Sequence, residues 1–309
     1  MFKIIQRLKS IIKKIIPKFV RYKLVTTFSM LKAKKAKKIF ERAPETPVFL
    51  GWDILDSLQQ KYPSPPEYGY DQQSLEQHGK LLAREILNII QAKTEKTKNI
   101  NTILELGCWD GMVSLFLRRQ GKKTTSIDIR SEGFDERAKH EGVKLLQMDA
   151  AHLQFEDESF DFIFSFGAFE HFADPELVLK EAIRVVKKGG YIYLIFGPLY
   201  MSPSGLHAYR SITVPYCQFL FPKELLRDFA NAKGLMPINF AQVNEWSLED
   251  FCKLWNRYSH RLKKIIYYEN HKVSHLDLIR KYPSCFKSKT KYFNNLIVQS
   301  IEVLFNKIN

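Results

Sequence analysis

Glu105-Leu106-Gly107-Cys108-Trp109-Asp110-Gly111 stands where an apolar run, Thr102–Leu106, gives way to a helical pattern starting at Met112. A strand that turns sharply into a helix offers backbone amides at the turn, and glycine lets that backbone approach a ligand. Gly107 and Gly111 suit this turn, with Cys108 between them. Glu105, at the strand end, can accept from a ligand ammonium. A lone Gly-x-x-x-Gly turn is weak, but two more carboxylates strengthen it. Asp128 follows the run Thr124–Ile127, where a carboxylate can take both ribose hydroxyls. Asp149-Ala150 follows Val143–Met148, where Asp can accept from an adenine amine. Three acids at three successive strand ends match a ligand with amino-acid, ribose and adenine parts.

A second group suits proton transfer. His171 follows the apolar run Phe160–Phe166, and Tyr200, His207 and Tyr209 follow Tyr191–Phe196. Imidazole is the one group of these with an ordinary pKa near neutrality, about 6.5. His207, in a loop shaped by Pro198, Pro203 and Gly205, is therefore the first choice for a proton acceptor.

These residues require elements to hold them. Helical patterns at Met112–Gln120, closed by Gly121, and from Asp174-Pro175 to Lys187-Lys188-Gly189-Gly190 alternate with the five apolar runs. That alternation predicts a parallel, doubly wound α/β sheet with ligands at the carboxyl ends of its strands. Pro237–Val243 reads as a sixth strand and Ile297–Phe305 as a seventh. Residues 247–290 read as a helical insert before the last strand. With Trp246 just ahead of it, the insert carries Trp255, Tyr258, Tyr267, Tyr268 and Tyr282, placed to cover the acceptor pocket. Upstream, helices are expected near Asp53–Gln60 and from an Asp71 cap to about Ala92. The division is a basic amphipathic arm over 1–42, a helical region over 43–100, and the main domain over 101–309.

Residues 1–42 hold 14 Lys and Arg against one acid, Glu41, whereas the other 267 residues carry a net charge of only +2. A near-neutral body argues against a broad nucleic-acid face. Ile4, Ile5, Leu8, Ile11, Ile12, Ile15, Ile16 and Phe19 recur at helical spacing opposite Lys3, Arg7, Lys13, Lys14 and Lys18, and Pro17 should end that helix. A lipid surface and a protein partner both fit such a stripe. Lys32–Arg42 reads as a solvated linker helix. No run reaches the length of a membrane span, and no secretory signal is evident. The four cysteines lack metal spacing and read as free thiols of a reducing, cytoplasmic setting, with no metal expected.

The residues resemble the class I S-adenosylmethionine-dependent methyltransferase superfamily. Glu105–Gly111 resembles its first motif, and Asp128 and Asp149 its ribose and adenine positions. The run Asp149-Ala150-Ala151-His152-Leu153-Gln154-Phe155 with Ser159-Phe160-Asp161 is similar to its D-A-x-x-L-P-F and S-F-D segments; Glu170-His171-Phe172-Ala173-Asp174-Pro175 and Lys188-Gly189-Gly190 continue the match. The resemblance implies a Rossmann-like seven-stranded sheet, order 3-2-1-4-5-7-6, with the seventh strand antiparallel. It implies S-adenosylmethionine as cofactor, with Glu105, Gly107, Cys108, Gly111, Asp128, Asp149, Ala150 and Ser165 around it. Trp109 departs from the pattern, since the family usually has a small residue there; the ring must point away from the cofactor or narrow its pocket. A nicotinamide dehydrogenase would need glycines where Trp109 and Met112 stand. Ser165-Phe166-Gly167-Ala168-Phe169 lacks an N-P-P-Y clamp, which argues against an exocyclic amine or amide nitrogen as acceptor. The expectation is methylation of an oxygen on a small-molecule, glycan or lipid-linked acceptor, in the cytoplasm or at the inner face of the membrane. The alternatives are a non-catalytic, membrane-tethered partner protein that binds the cofactor, and an RNA methyltransferase.

Overall fold

The computed structural model describes residues 18–63, 71–94 and 99–309. Seven strands, β1 Thr102–Leu106, β2 Lys123–Asp128, β3 Lys144–Gln147, β4 Phe160–Phe166, β5 Val186–Phe196, β6 Leu262–His271 and β7 Val298–Lys307, form one sheet in the order β3-β2-β1-β4-β5-β7-β6. Strands β1 to β5 are parallel, and β7 runs antiparallel between β5 and β6. This is the order that the resemblance implies.

Side chains alternate across the sheet. Ile103, Phe162, Phe164, Tyr193 and Leu304 pack with helices Gln72–Lys93 and Met112–Arg119. Leu104, Ile163, Ile192, Leu194, Val303 and Phe305 pack with helices Pro175–Val185 and Leu248–Arg257. Covered on both faces, the strands read as continuous apolar runs. The expected caps form: Asp71 accepts from the Ser74 amide, and Asp174 from the amides of Glu176 and Leu177 ahead of Pro175.

Four expectations are corrected. The helix from Pro175 stops at Val185, and Lys187 to Gly190 already belong to β5. The register slips there between Phe160 and Phe162, Gly189 sits at φ +69°, and a Cβ on Gly190 would fall 2.8 Å from the Lys187 carbonyl. The Lys-Lys-Gly-Gly run is therefore a bulged strand entry and not a helix cap. The sixth strand is Leu262–His271, inside the stretch 247–290 expected to be helical, whereas Pro237–Val243 is a loop turned by Asn239, whose side chain accepts from the Ala241 amide at 3.0 Å. As an edge strand with a bulge between Lys264 and Ile266, β6 buries only Leu262 and Ile266, so no period of two marks it.

The other two corrections concern the arm and the insert's aromatics. Residues 1–17, including the expected amphipathic helix and its end at Pro17, lie outside the described residues. From Lys18 to Glu41 one helix continues, and its Lys32–Arg42 portion is no solvated linker: Ala33, Ala36 and Phe40 are fully buried against segments 276–297. Trp246, Trp255 and Tyr258 pack beneath the sheet beside Phe251, and Tyr282 joins the second cluster, so these aromatics build core instead of covering an acceptor pocket. No helix among the described residues is long and apolar enough to cross a membrane.

The second core decides where the site can open. Phe196 at the end of β5 pairs with Ile301, and His271 at the end of β6 pairs with Val298. Segments 197–221 and 272–297 thus leave from the same edge as the carboxyl ends of β1 and β4. With residues 29–62 they share an apolar cluster that includes Phe40, Leu55, Tyr216, Phe219, Phe286 and Phe293. This layer forms a cap beside the sheet's carboxyl edge.

Candidate functional site

The turn after β1 is fixed by sterics. Gly107 has φ +71°, and a Cβ on it would lie 2.5 Å from the Ala168 Cβ; Gly111 has φ +81°, and a Cβ would lie 2.7 Å from Leu145 Cδ2. Only glycine meets both demands, and the turn is pressed against the loop that follows β4. The amides of Gly107 and Cys108 donate to the Ile127 carbonyl, which folds the turn over the end of β2. Asp110 accepts from the Met112 amide and starts the next helix. Cys108 is buried, burial raises its thiol pKa, and the side chain serves as an inert wall.

Asp128 sits where the sequence placed it, and its oxygens are engaged. Oδ2 accepts from the Trp109 amide at 2.9 Å; Oδ1 accepts from the Arg130 amide and from Arg130 Nε, and Oδ2 also from Arg130 Nη2. Burial opposes the charge, but these donors outweigh it and hold the carboxyl below its ordinary pKa. Trp109 takes φ +57°, its ring is half exposed, and the Arg130 guanidinium lies 4.3 Å from the ring centroid. The bulky side chain at this position therefore stacks outward under a cation. Asp149 is half exposed above the buried Ala150. Its Oδ1 accepts from the Ala151 amide at 2.9 Å, and its Oδ2 lies 3.1 Å from His152 Nδ1. The amide bond, then the histidine, keeps its pKa low.

Two expected cofactor contacts are redirected. Glu105 shares the face of Ile103, and its Oε2 accepts from Ser114 Oγ at 2.6 Å and Ser126 Oγ at 3.1 Å inside the helix–sheet interface. Burial lifts its pKa to about 8 against those two bonds. It is 3% exposed and braces the helix start. Ser165 is fully buried and donates to the Leu106 carbonyl at 2.9 Å, which ties β4 to the end of β1 and keeps its hydroxyl from a ligand.

On the acceptor side the loops after β4 and β5 meet. His171 Nδ1 donates to the Gln242 carbonyl at 2.6 Å, and His207 Nε2 donates to the Pro198 carbonyl at 3.1 Å. Their ring centroids are 4.9 Å apart and edge-on, with Tyr209 at 6.5 Å from His207. Glu170 Oε1 accepts from the Gly197 amide at 2.9 Å, and Asn244 fastens the same loop through the carbonyls of Phe169, Glu170 and Phe172. His207 does not keep the near-neutral pKa expected of it: burial pushes it down to about 4, and nearby His171 adds to the fall. Tyr200 packs edge-on to Phe219 and its hydroxyl interacts with Glu245. His207 lines a partly open pocket of about 300 Å³ in the cap, together with Tyr62, Tyr209, Lys272 and His275.

Sequence reading missed Arg130, Glu170 and Asn244 as site residues. Arg130 had a local signal, two positions after Asp128, and Glu170 stands next to His171. Asn244 had none, because its partners lie some seventy residues earlier.

Residues 104–194 match the methyltransferase domain family. The chain is similar to the ubiquinone biosynthesis O-methyltransferase of Coxiella burnetii, 24% identical over 196 residues, which span 56% of this chain and 80% of that protein. The Aeromonas salmonicida protein of that name is 29% identical over 174 residues, 49% of this chain and 70% of its own length. Among solved structures, a Pyrococcus horikoshii protein matches 79% of this chain and 96% of its own at 21% identity, with a TM-score of 0.48. A SAM-dependent methyltransferase of Methanosarcina mazei matches 71% and 97% at 20% identity, with a TM-score of 0.44. The domain match over residues 104–194, the strand order and the glycine turn beside Asp128 support the class I S-adenosylmethionine-dependent methyltransferase superfamily.

Proposed function

We propose that this chain methylates a hydroxyl oxygen of a small molecule. One observation carries the reading: the loop after β4 sets Ala168 and Phe172 against the Gly107 turn and, between and beside them, brings Glu170 to Gly197 and His171 to His207 of the loop after β5. When bound, S-adenosylmethionine supplies an electrophilic methyl on a sulfonium; transfer to a hydroxyl leaves S-adenosylhomocysteine and one proton to be removed. The donor set fits that cofactor. Asp128 and Asp149 offer carboxylates to ribose and adenine, Ala150 lies under Asp149, and the Cβ-free Gly107 lets the backbone come close. His171 and His207, each holding one ring N–H on a carbonyl, keep the other nitrogen as an acceptor for the proton. The two O-methyltransferase relatives support oxygen as the nucleophile. The test is transfer of labelled methyl to a panel of phenols, alcohols and amines. Label on nitrogen alone, or on no compound, would sink the reading.

The ribose role of Asp128 has its own test. Asp128→Ala is expected to weaken S-adenosylhomocysteine binding by about 1–3 kcal/mol, through the lost charged acceptor and the released Trp109 amide. Titration calorimetry on both proteins checks this, and equal affinities would remove the assignment.

The first described helix favours a place of action. Val20, Leu24, Phe28 and Leu31 are exposed on the face opposite Ala33, Ala36 and Phe40, with Lys32, Lys34, Lys35 and Lys38 exposed along the same helix. Apolar side chains rimmed by lysines suit an anionic lipid surface, where a lipid-linked or glycan acceptor would be met. The full chain is expected to float with anionic vesicles and not with neutral ones, and L24E/F28E to abolish flotation. Undiminished flotation of that variant would remove this face from the interaction.

A further inference from the structure

Glu170, His171 and His207 form a group that proton transfer alone does not explain. Each offers one ring nitrogen or carboxylate oxygen that could ligate, and these three atoms all lie within 4.8 Å of one another. Glu170 and His171 come from the loop after β4, and His207 from the loop after β5. Among the described residues no cysteine or additional acid takes part, so the donors are two imidazole nitrogens and one carboxylate oxygen.

Each histidine is held in the state that a cation needs. His171 spends its Nδ1 proton on the Gln242 carbonyl, and His207 its Nε2 proton on the Pro198 carbonyl. A neutral imidazole that donates at one nitrogen presents a lone pair at the other, here Nε2 of His171 and Nδ1 of His207. Backbone carbonyls that fix the far nitrogen are the usual support of metal-bound histidines. Glu170 is 3% exposed; its Oε1 takes the Gly197 amide, and its Oε2 is buried with no hydrogen-bond partner. A buried carboxylate oxygen left unpaired is costly, and a cation would satisfy it.

We infer that Glu170, His171 and His207 hold a divalent transition-metal cation beside the methyl-transfer site. Two imidazoles and a carboxylate suit zinc, manganese, iron(II) or cobalt(II) and do not suit magnesium or calcium, which prefer all-oxygen cages. Three protein ligands leave a position open for an acceptor oxygen; a bound cation takes both imidazole lone pairs and lowers the pKa of a coordinated hydroxyl, so that its proton passes to solvent instead of to the histidines. That activating role rests on the oxygen-acceptor reading above; the binding does not.

The test uses the full chain stripped with a chelator. Zinc titrated by calorimetry, and cobalt(II) followed by its visible absorption, are expected to bind at about one per chain. His171→Ala, His207→Asn and Glu170→Gln should each weaken zinc by tenfold or more while S-adenosylhomocysteine affinity, the check on folding, stays within about twofold. Four free cysteines could also take zinc. The cobalt spectrum separates the two, because thiolate ligation adds an intense near-ultraviolet band that this site would lack. Failure of the stripped wild type to bind zinc or cobalt at 100 times the protein concentration would overturn the inference. Stoichiometric binding unchanged in all three variants, or a thiolate band, would overturn it too. Should a variant unfold, the wild-type stoichiometry and spectrum still decide. A stripped enzyme that transfers methyl to oxygen at full rate would refute the activating role and leave the function standing. A chain that binds zinc here but methylates only nitrogen would do the reverse.

Discussion

Phe40→Ala is expected to destabilise the protein by about 3–5 kcal/mol, as for large aromatic truncations in a close-packed core. Phe40 is fully buried, its ring lies 5.6 Å from that of Phe293, and Lys287 Nζ sits 5.2 Å from its centroid. Ala33 and Ala36 line the same face, where their small side chains let the helix backbone approach segments 276–281 and 283–287. Removing the ring leaves a void between the helix and the segments that carry Lys287 and Phe293. A chain begun near Pro44 would lose the whole face and is expected not to fold stably. Urea unfolding of Phe40→Ala beside Phe28→Ala is the measurement. Phe28 is exposed, so its variant should stay within about 0.5 kcal/mol of wild type. Equal midpoints for the two would show that the arm is an appendage.

That result bears on why the arm was misread from sequence. In KAKKAKKIF the lysines dominate the average, and the buried stripe is two alanines and one phenylalanine. Alanine scarcely registers as hydrophobic, yet it is what close helix packing requires. The strands behaved differently. β1, β2 and β4 lie inside the sheet, covered on both faces, and their apolar runs mark them to within a residue. β6 borders the sheet and owes its place to backbone pairing with β7, which leaves no side-chain signature. The Asp71 and Asp174 caps were legible because capping is local chemistry.

The site divides in the same way. Positions at strand ends follow from topology, so Asp128, Asp149 and the Gly107 turn could be located from spacing. Which way a side chain faces follows from parity and packing. Glu105 and Ser165 turn inward for that reason, Glu105 to Ser114 and Ser126, Ser165 to Leu106. The histidine pair was legible as two residues in two loops, but its environment was not. Only the folded chain shows that burial takes His207 far below its ordinary pKa.

His207→Asn is expected to lower methyl transfer by about 10²–10⁴-fold while leaving S-adenosylhomocysteine affinity within about twofold. Asparagine is the better variant because His207 holds φ +58°, a conformation that asparagine tolerates and alanine resists. The amide is also polar, so the buried contact to Pro198 can be remade. Burial has a consequence for pH. An imidazole with an ordinary pKa would be protonated below about 6.5, and a rate that depends on its free nitrogen would fall there. With His207 pushed down to about 4, the ring stays unprotonated throughout the neutral range, whether its second nitrogen takes a proton or a cation. The wild-type rate under saturating cofactor should therefore lose no activity to His207 between pH 8 and pH 5, and any acid limb in that interval should persist in the variant. Tyr209→Phe, which removes a hydroxyl 39% exposed residue-wide at the rim, is expected to change turnover only a few-fold. Full turnover in His207→Asn, with the cofactor bound normally, would show that the proton leaves by another path and that the pairing of the two histidines is structural.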